Sequence, residues 1–388
     1  MAQASGKSAG KSFLGRFGVH IAVLVFVVIW TIPTLGILVS SLRDKDQIIA
    51  SGWWSSFAGS VQTEAGRLPP ASAQKEKDGK FVIEGNLFEQ PGSREIQAFG
   101  TRAQAPTEFA AGSVAELKDG VTLQVNADGS FIASSPVAFE GDRGQRVYYS
   151  ASAPPRFTTE NYETVLFSEG IGRSFINSLT VTVPATVIPI MIAAFAAYAL
   201  AWMRFPGRAL IIATIIGLLV VPLQMALIPL LQLYNGVAMF FGVPSKTYLG
   251  IWLAHTGFGL PFAIYLLRSY MAGLPRELME SARIDGASDF EIFIKIVLPL
   301  SFPVLASFAI FQFLWVWNDL LVAMVFLRTD ADQLVLTARL NALLGSRGGD
   351  WEILTTSAFV TIIVPLIVFF SLQRYFVRGL LAGSVKGG

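Results

Sequence analysis

The sequence contains no cysteine, which excludes disulfide bonds and thiolate chemistry. Charge is also scarce, because only 14% of the residues are charged, compared with about 25% in a typical soluble domain. The net charge of +2 is too small to indicate a nucleic-acid partner. The two histidines, His20 and His255, lie in separate apolar runs and give no candidate metal site. With 53% hydrophobic residues, the composition instead predicts an integral membrane protein.

Six apolar stretches are long enough to cross a bilayer, whose core of about 30 Å needs about 20 apolar residues. They run over 17–41, 174–203, 209–233, 247–271, 300–327 and 353–377. Several contain proline, which spanning helices tolerate when neighbouring helices satisfy the freed carbonyl groups. The first stretch is too long for a signal peptide, and no A-x-A site follows directly, so we expect it to remain as an anchor. The pattern predicts a packed bundle of six spans.

Lysine and arginine predict the orientation of these spans, because cytoplasmic loops are enriched in both. Basic residues lie in an N-terminal tail (1–16), in the links after the second and fourth spans, and in a C-terminal tail (379–388). Six spans place all four segments on one side of the membrane. We therefore expect both termini in the cytoplasm, and the segment 43–172, between the first two spans, on the opposite side.

The composition of the segment 43–172 differs from that of the spans. Asp-Gly pairs mark turns at three places. The stretch VTLQVNADGSFIAS alternates apolar and polar residues on both sides of NADG, which predicts a β-hairpin. KFVIEGNLF and QRVYYSAS are typical of further strands, and SAPPRFTTENY of a rigid return linker. We predict a β-rich insertion over about 55–150. The alternative is a partly disordered loop, because Ser, Ala, Gly and Gln are frequent there.

A polar stretch, ESARIDGASDFEIFIKIVLP, lies between the fourth and fifth spans at 280–299. Pro275 before it suits a first helical turn. Residues 276–285 favour a helix, and Gly286 can take the positive φ that follows a helix end. The sequence therefore predicts a helix that ends in a tight turn at Gly286.

A second helix is predicted directly after this turn. Ser288 and Glu291 have the S-x-x-E spacing of a capping box, and Pro299 marks the join to the fifth span. Four apolar residues fall at i, i+3, i+4 and i+7 and predict one buried stripe. They are Phe290, Phe293, Ile294 and Val297.

The expected outer face of this helix–turn–helix, within 274–299, is polar. It carries Glu280, Arg283, Asp285 and Asp289. Such an element is suited to transmit force from a cytoplasmic partner into two spans at once. It is equally typical of a short amphipathic linker resting on the lipid surface. The residues alone leave both interpretations open.

The spacing E-x-A-x-x-x-G, followed after nine residues by I-x-L-P, resembles the EAA loop of ABC-transporter permeases of the bacterial import type. The matching positions are Glu280, Ala282, Gly286, Ile296, Leu298 and Pro299. ESARIDGAS resembles carbohydrate importers, although Ser281 replaces the family's usual alanine. LPFAIYLLRSYM, FLWVWNDLLVA and LQRYFVRGLLAGSVKG are similar to the maltose-type sugar permease subunit. The sequence around 171–208 resembles that of permeases for α-glucosides. The resemblance as a whole covers about residues 12–45 and 155–388.

This resemblance implies the type I ABC importer fold: an all-α membrane protein with six transmembrane helices, here with a β-rich extracytoplasmic insertion between helices 1 and 2. The permease core would be 174–378, with the loop 274–299 forming a coupling helix that docks on an ATPase. The implied coupling positions are Glu280, Ser281, Ala282, Asp285, Gly286 and Ala287. The implied supporting positions are Ser288, Glu291 and Pro299. The C-terminal tail is also expected to reach the ATPase dimer.

The resemblance further implies the partners and the location. We expect a second, different permease, an ATPase homodimer, an extracytoplasmic sugar-binding protein, membrane lipids, and an oligosaccharide substrate such as an α-glucoside disaccharide. The location would be the bacterial inner membrane. ATP and Mg would bind to the ATPase, and this chain would bind no cofactor. The stretch SGKSAGKS (5–12) lacks the first glycine of a phosphate loop, because Ser5 stands there.

Polar residues within spans are costly and often functional. The candidate substrate path consists of Gln224, Trp315, Asn318 and Asp319. A solvated or helix-packing role fits Asp319 equally well, and in maltose-type systems the partner permease holds most of the sugar. We expect no catalytic site, because Glu280 and Asp285 have no evident pocket between them.

Two other classes compete with the permease interpretation. A membrane sensor would bind a ligand or partner with its external domain, but the chain has no cytoplasmic output domain. A secondary transporter would need carboxylates at mid-membrane and an inverted repeat, and the sequence shows almost none of the first and no evident sign of the second.

Overall fold

The computed structural model describes residues 6–88, 94–330 and 332–384. It divides into two compact units, Met1–Thr159 with Asp350–Glu352, and Glu160–Gly349 with Ile353–Gly388. Parts of three predicted segments lie outside the described residues, namely 1–5 of the N-terminal tail, 89–93 of the insertion and 385–388 of the C-terminal tail.

The first unit begins with the long helix α1 (Gly6–Ser41), whose apolar part Phe17–Ser41 matches the first predicted span. A short helix, α2 (Lys45–Ala50), follows at once. The carboxylate of Asp44 caps it by accepting a hydrogen bond from the Asp46 amide at 3.1 Å. One 3-10 turn, Trp53–Ser55, then leads into the strands.

The described residues then form nine strands: β1 (Ser60–Arg67), β2 (Lys75–Lys77), β3 (Lys80–Asn86), β4 (Glu95–Gly100), β5 (Phe109–Ala110), β6 (Val114–Glu116), β7 (Thr122–Val125), β8 (Ser130–Ser135) and β9 (Arg146–Ala153). Single 3-10 turns lie at Ala71–Ala73 and Lys118–Gly120. The strands form two antiparallel sheets with the orders β1-β9-β4-β5 and β2-β3-β8-β7-β6. Both sheets contribute to one buried core, which includes Phe99 from the first sheet and Leu123 and Phe131 from the second. The predicted β-rich insertion is therefore confirmed as a two-sheet sandwich.

The predicted turn signals shape this sandwich. Asp78 and Gly79 both have positive φ, 52° and 73°, as a two-residue turn between β2 and β3 requires. The NADG hairpin is confirmed, with Val125 opposite Phe131 in the register of β7 and β8. The predicted strands KFVIEGNLF and QRVYYSAS correspond to β3 and β9. The strands β1 and β4 were not predicted, because their sequences SVQTEAGR and EIQAFG are short or rich in polar residues.

The second unit is helical. Its helices are α3 (Glu160–Glu163), α4 (Ile171–Trp202), α5 (Arg208–Leu218), α6 (Leu223–Phe241), α7 (Tyr248–Met271), α8 (Arg276–Ile284), α9 (Asp289–Ile292), α10 (Leu298–Leu300), α11 (Phe302–Asn318), α12 (Leu320–Phe326), α13 (Leu336–Ser346) and α14 (Trp351–Ser384). Two π-helical turns lie at Thr164–Ser168 and Phe293–Val297.

The helices α4, α7 and α11 form the centre of this unit. Buried alanines of α4, such as Ala193 and Ala197, let α7 approach closely, as small residues do in membrane bundles. Gln312 of α11 ties the three helices together, because its side-chain Nε2 donates to the carbonyl of Ala185 at 3.1 Å and to that of His255 at 3.4 Å.

The number and placement of the spans differ in part from the prediction. Five described helices are long and apolar enough to cross a membrane, and six if the pair bent by 69° at Ser301 counts as one span. The predicted third span at 209–233 is wrong. The chain breaks between α5 and α6 just before Pro222, and the helix of spanning length is α6. The predicted fifth span also ends early, at Asn318.

Candidate functional site

The polar loop between α7 and α11 forms the predicted helix–turn–helix. Helix α8 begins after Pro275 and buries Met279 in the cluster that contains Leu267 and Met271 of α7. Ala282, one helical turn later, lies partly buried against the same cluster. Residues three apart lie on one face of a helix, so this face fixes α8 to the end of α7.

The turn after α8 is a Schellman motif. The Gly286 amide donates to the Arg283 carbonyl at 3.1 Å, and the Ala287 amide donates to the Ala282 carbonyl at 2.9 Å. Gly286 itself has φ +85°, in the left-handed region. The predicted role of Gly286 as the residue of positive φ is therefore confirmed by the backbone geometry.

The second helix begins with the predicted capping box. The Ser288 hydroxyl accepts from the Glu291 amide at 3.3 Å, and the Glu291 carboxylate accepts from the Ser288 amide at 3.1 Å. Lys295 donates to the other oxygen of Glu291 at 3.1 Å. Pro299, the third supporting position, lies exposed in α10, two residues before the bend at Ser301.

The predicted apolar stripe of the second helix is wrong in two of its four members. Phe293 and Val297 are buried, but Phe290 and Ile294 are exposed, and Ile292 is buried instead. The cause is the π-helical turn Phe293–Val297, which adds one residue per turn and rotates the helix faces.

Asp289 links the loop to α4. Its carboxylate accepts from the Arg283 guanidinium at 3.0 Å and from the Tyr198 hydroxyl at 3.3 Å. Two of the residues expected on the open face therefore neutralise each other. Within the described ranges, the two other members of that face, Glu280 and Asp285, form no ion pair and are exposed.

The open side of the loop carries exposed apolar side chains, whereas the sequence predicted a polar outer face. Ile284 is 86% exposed and Phe290 is 64% exposed, and Leu278 is also exposed. Ile284 lies about 140° around the helix from the buried Met279, at 100° per residue. The exposed position of Ile284 could have been identified from the sequence, because this isoleucine stands among polar residues on the face opposite Met279. The loop thus has a buried base and an exposed apolar tip.

The predicted coupling positions lie together in this element. Glu280 and Ser281 are exposed on α8, Asp285 and Gly286 form its end, and Ala287 lies partly buried after the turn.

The candidate substrate-path residues lie apart from the loop. Trp315, Asn318 and Asp319 lie at the end of α11, whereas Gln224 is exposed in the first turn of α6. The Asp319 carboxylate caps α12 by accepting from the Val322 amide at 3.0 Å. The Asn318 side-chain Nδ2 donates to the carbonyl of Leu314 at 2.7 Å. Helix capping therefore accounts for Asp319 without a ligand.

A small cavity lies beside Asp319. It is lined by His255, Thr182 and Trp317 among others, and its volume is about 10 Å³. The His255 ring is buried, and neither of its nitrogens has a partner in the part of the chain that the structure describes. This volume holds about one water molecule, so this cavity is too small for a sugar.

Comparison with known proteins decides the family. The family described as "Binding-protein-dependent transport system inner membrane component" matches residues 173–381. The chain is also 68% identical over 372 residues to the alpha-glucoside transport system permease protein AglG of Rhizobium meliloti, which covers 96% of this chain and 97% of that protein. The chain belongs to this family of inner membrane transport components.

The protein is thus a permease subunit of an ABC transporter, and it is not an enzyme. The helix–turn–helix lies inside the matched region. The permease is 42% identical over 374 residues to the osmoprotective compounds uptake permease protein GgtD of Synechocystis sp., covering 96% of this chain and 93% of that protein. The crystal structure of a bacterial ABC transporter involved in alginate import superposes on 58% of this chain and 82% of that one, with a TM-score of 0.49 and 24% identity.

Proposed function

We propose that the permease imports oligosaccharides of the α-glucoside type and works with a second permease, an ATPase homodimer and an external sugar-binding protein. The substrate proposal is supported by the 68% identity to AglG, which extends over nearly the whole chain. In this proposal the termini and the helix–turn–helix face the cytoplasm, and the sandwich faces the periplasm. ATP and Mg bind to the ATPase, and this chain binds no cofactor.

The exposed apolar tip of the helix–turn–helix carries the proposal of coupling. Ile284 is apolar and 86% exposed on a polar helix. A partner that covers this side chain removes apolar surface from water, which favours binding. The exposed carboxylates of Glu280 and Asp285 beside it offer acceptors for basic or amide groups of that partner. A groove in the ATPase is the partner that the family resemblance implies.

The buried base explains how motion at the tip would reach the bundle. Met279 holds the loop against α7, and the carboxylate of Asp289 accepts from the Tyr198 hydroxyl of α4. Val297 packs in the same core, next to α11. Displacement of the loop by a closing ATPase dimer would therefore move three helices together. That rearrangement would open the closed space beside Asp319.

The sandwich is proposed to be a docking surface for the binding protein or the partner permease. The alignments with AglG and GgtD each leave at most about 4% of this chain uncovered, so they include the sandwich. Because GgtD is named for osmoprotective compounds, the sandwich occurs in permeases named for different substrates and is not specific to one substrate class. Replacing Ser60–Ala153 with a short linker should weaken stimulation of ATP hydrolysis by the binding protein. Unchanged affinity of the transporter for the binding protein, together with unchanged assembly with the partner permease, would refute docking on the sandwich.

The test of coupling compares two substitutions of equally exposed apolar residues. Ile284→Ser removes the most exposed apolar side chain of the tip. Phe167→Ser is the matched control, since Phe167 is 81% exposed and precedes the other end of α4. Loss of about 1.5–3 kcal/mol of favourable burial free energy should weaken ATPase binding by about 10- to 150-fold. Co-purification of the ATPase from detergent at increasing dilution measures this affinity. Equal retention of the ATPase by both variants would refute docking at this tip.

A further inference from the structure

The connections between α1 and the sandwich carry four exposed apolar side chains. Trp54 and Phe57 are each 77% exposed, and Ile49 and Phe157 are also exposed. The Phe57 and Phe157 rings lie 5.5 Å apart, although the two residues belong to the outgoing and the returning connection. We refer to these four residues as the collar.

Hydrogen bonds hold both connections rigidly at the end of α1. The Thr158 amide donates to the Leu42 carbonyl at 2.7 Å, and the Gln47 side chain bonds to the returning chain twice, at 2.8 Å and 2.9 Å. The buried Arg43 guanidinium donates to the carbonyl of Gln47 at 2.7 Å and to that of Ser51 at 2.8 Å. The collar is therefore fixed in position relative to the helix end.

The depth of the collar follows from the contact between Trp53 and Gly36. A Cβ atom on Gly36 would lie 2.8 Å from the Trp53 indole nitrogen, so the indole packs directly on α1 there. Gly36 precedes the helix end at Ser41 by about 7.5 Å at 1.5 Å per residue. The apolar part of α1 has 25 residues, a length of about 37 Å, which exceeds a bilayer core of about 30 Å. The helix exceeds the core by about 7 Å, close to the distance from Gly36 to the helix end. Trp53, which packs on Gly36, therefore lies near the boundary between acyl chains and headgroups.

We infer that the collar inserts into the membrane interface and seats the base of the sandwich on the bilayer. Tryptophan and other aromatic side chains concentrate at this level because one part of the ring is apolar and the surroundings are wet. The collar also lies beyond the exposed apolar stretch of α1, whose side chains from Phe17 to Ile32 are exposed on all sides. Arg156 and Lys45 lie beside it in ion pairs with Asp44 at 3.5 Å and with Asp350 at 3.0 Å. Their side chains remain 66% and 54% exposed, which suits contact with lipid headgroups. The leaflet is the outer one if the proposed orientation holds.

The test uses the absence of cysteine, because one introduced cysteine carries the only label in this chain. Phe57→Cys and Ile49→Cys variants are labelled with a nitroxide, within the full complex carrying cysteine-free partner subunits, in phosphatidylcholine nanodiscs. Val137→Cys is the matched control, because Val137 is 66% exposed on the sandwich. Spin-label relaxation then compares accessibility to oxygen, which dissolves in lipid, with accessibility to a nickel chelate, which stays in water.

The expected result is a ratio of oxygen to nickel accessibility several-fold higher at positions 57 and 49 than at position 137. Nickel accessibility at position 57 equal to that at position 137 would place the collar in water and overturn the inference. Exclusion of both reagents at positions 57 and 49 would show a protein partner covering the collar, which also overturns it. These outcomes do not depend on the substrate. Reduction of the labels by external ascorbate in liposomes tests the proposed orientation separately.

Discussion

The turn at Gly286 allows a quantitative prediction, because its geometry isolates one physical effect. Gly286 has φ +85°, and a Cβ atom added there would meet nothing within 4 Å. Gly286→Ala therefore introduces backbone strain without a steric clash. Since the same turn directs the chain from α8 to the Ser288 cap, the strain falls on the proposed coupling element.

A side chain forced into the left-handed region costs about 1–2 kcal/mol. If the loop must hold this turn to dock, Gly286→Ala should reduce the population of the docking-competent loop by about 5- to 30-fold. Asparagine tolerates positive φ better than alanine, so Gly286→Asn should recover most of the loss. Rescue by a larger side chain distinguishes backbone strain from crowding.

Gly242 provides the matched control. It ends α6 with φ +66° and also has open space at its Cβ position, so Gly242→Ala introduces a similar strain outside the loop. The assay is ATP hydrolysis stimulated by sugar-loaded binding protein in proteoliposomes, together with the thermal stability of each complex. We expect Gly286→Ala to lose stimulation and Gly242→Ala to lose only stability. Equal stimulation in both variants, or no gain with Gly286→Asn, would refute the reasoning.

Three further predictions concern the two units. Gly259→Ala places a Cβ atom 2.6 Å from the Gln312 side chain, so thermal unfolding in detergent should show a loss of about 1–3 kcal/mol. Ser288→Ala removes the cap of the second loop helix and should cost about 1 kcal/mol, measured in the same way. Burial and the neighbouring Glu64 carboxylate raise the pKa of Tyr149 to about 12, whereas an unfolded tyrosine titrates near pH 10. The sandwich should therefore lose stability above about pH 10, and Tyr149→Phe should lose less, as near-ultraviolet circular dichroism against pH would show.

The parts of the fold that depend on local chemistry could be predicted. The turn at Asp78 and Gly79 and the positive φ of Gly286 follow from conformational preferences of a few neighbouring residues. The capping box likewise needs only the spacing of Ser288 and Glu291. Each of these features is decided within about five residues, and the sequence contains all of the information.

Features that depend on packing could not be predicted. Proline lies inside α4 and α7 without ending them, so Pro222 alone could not show that the chain breaks between α5 and α6. The pairing of β1 with β9, which sets Glu64 opposite Tyr149, joins residues far apart in the chain. Neither the break between α5 and α6 nor the pairing of β1 with β9 produces a periodic pattern in the sequence, because tertiary contacts decide both.

The error at the loop has a more specific cause. A helical stripe assumes about 3.6 residues per turn, and the π-helical turn at Phe293–Val297 breaks that period. It turns Ile292 inward, whereas Phe290 and Ile294 point outward. Because of this shift, one short element is anchored firmly in the bundle and still presents an aromatic ring to a partner. A regular helix would bury Phe290 with Val297, seven residues later, and would leave the tip without this aromatic ring. The irregularity therefore belongs to the proposed coupling surface itself.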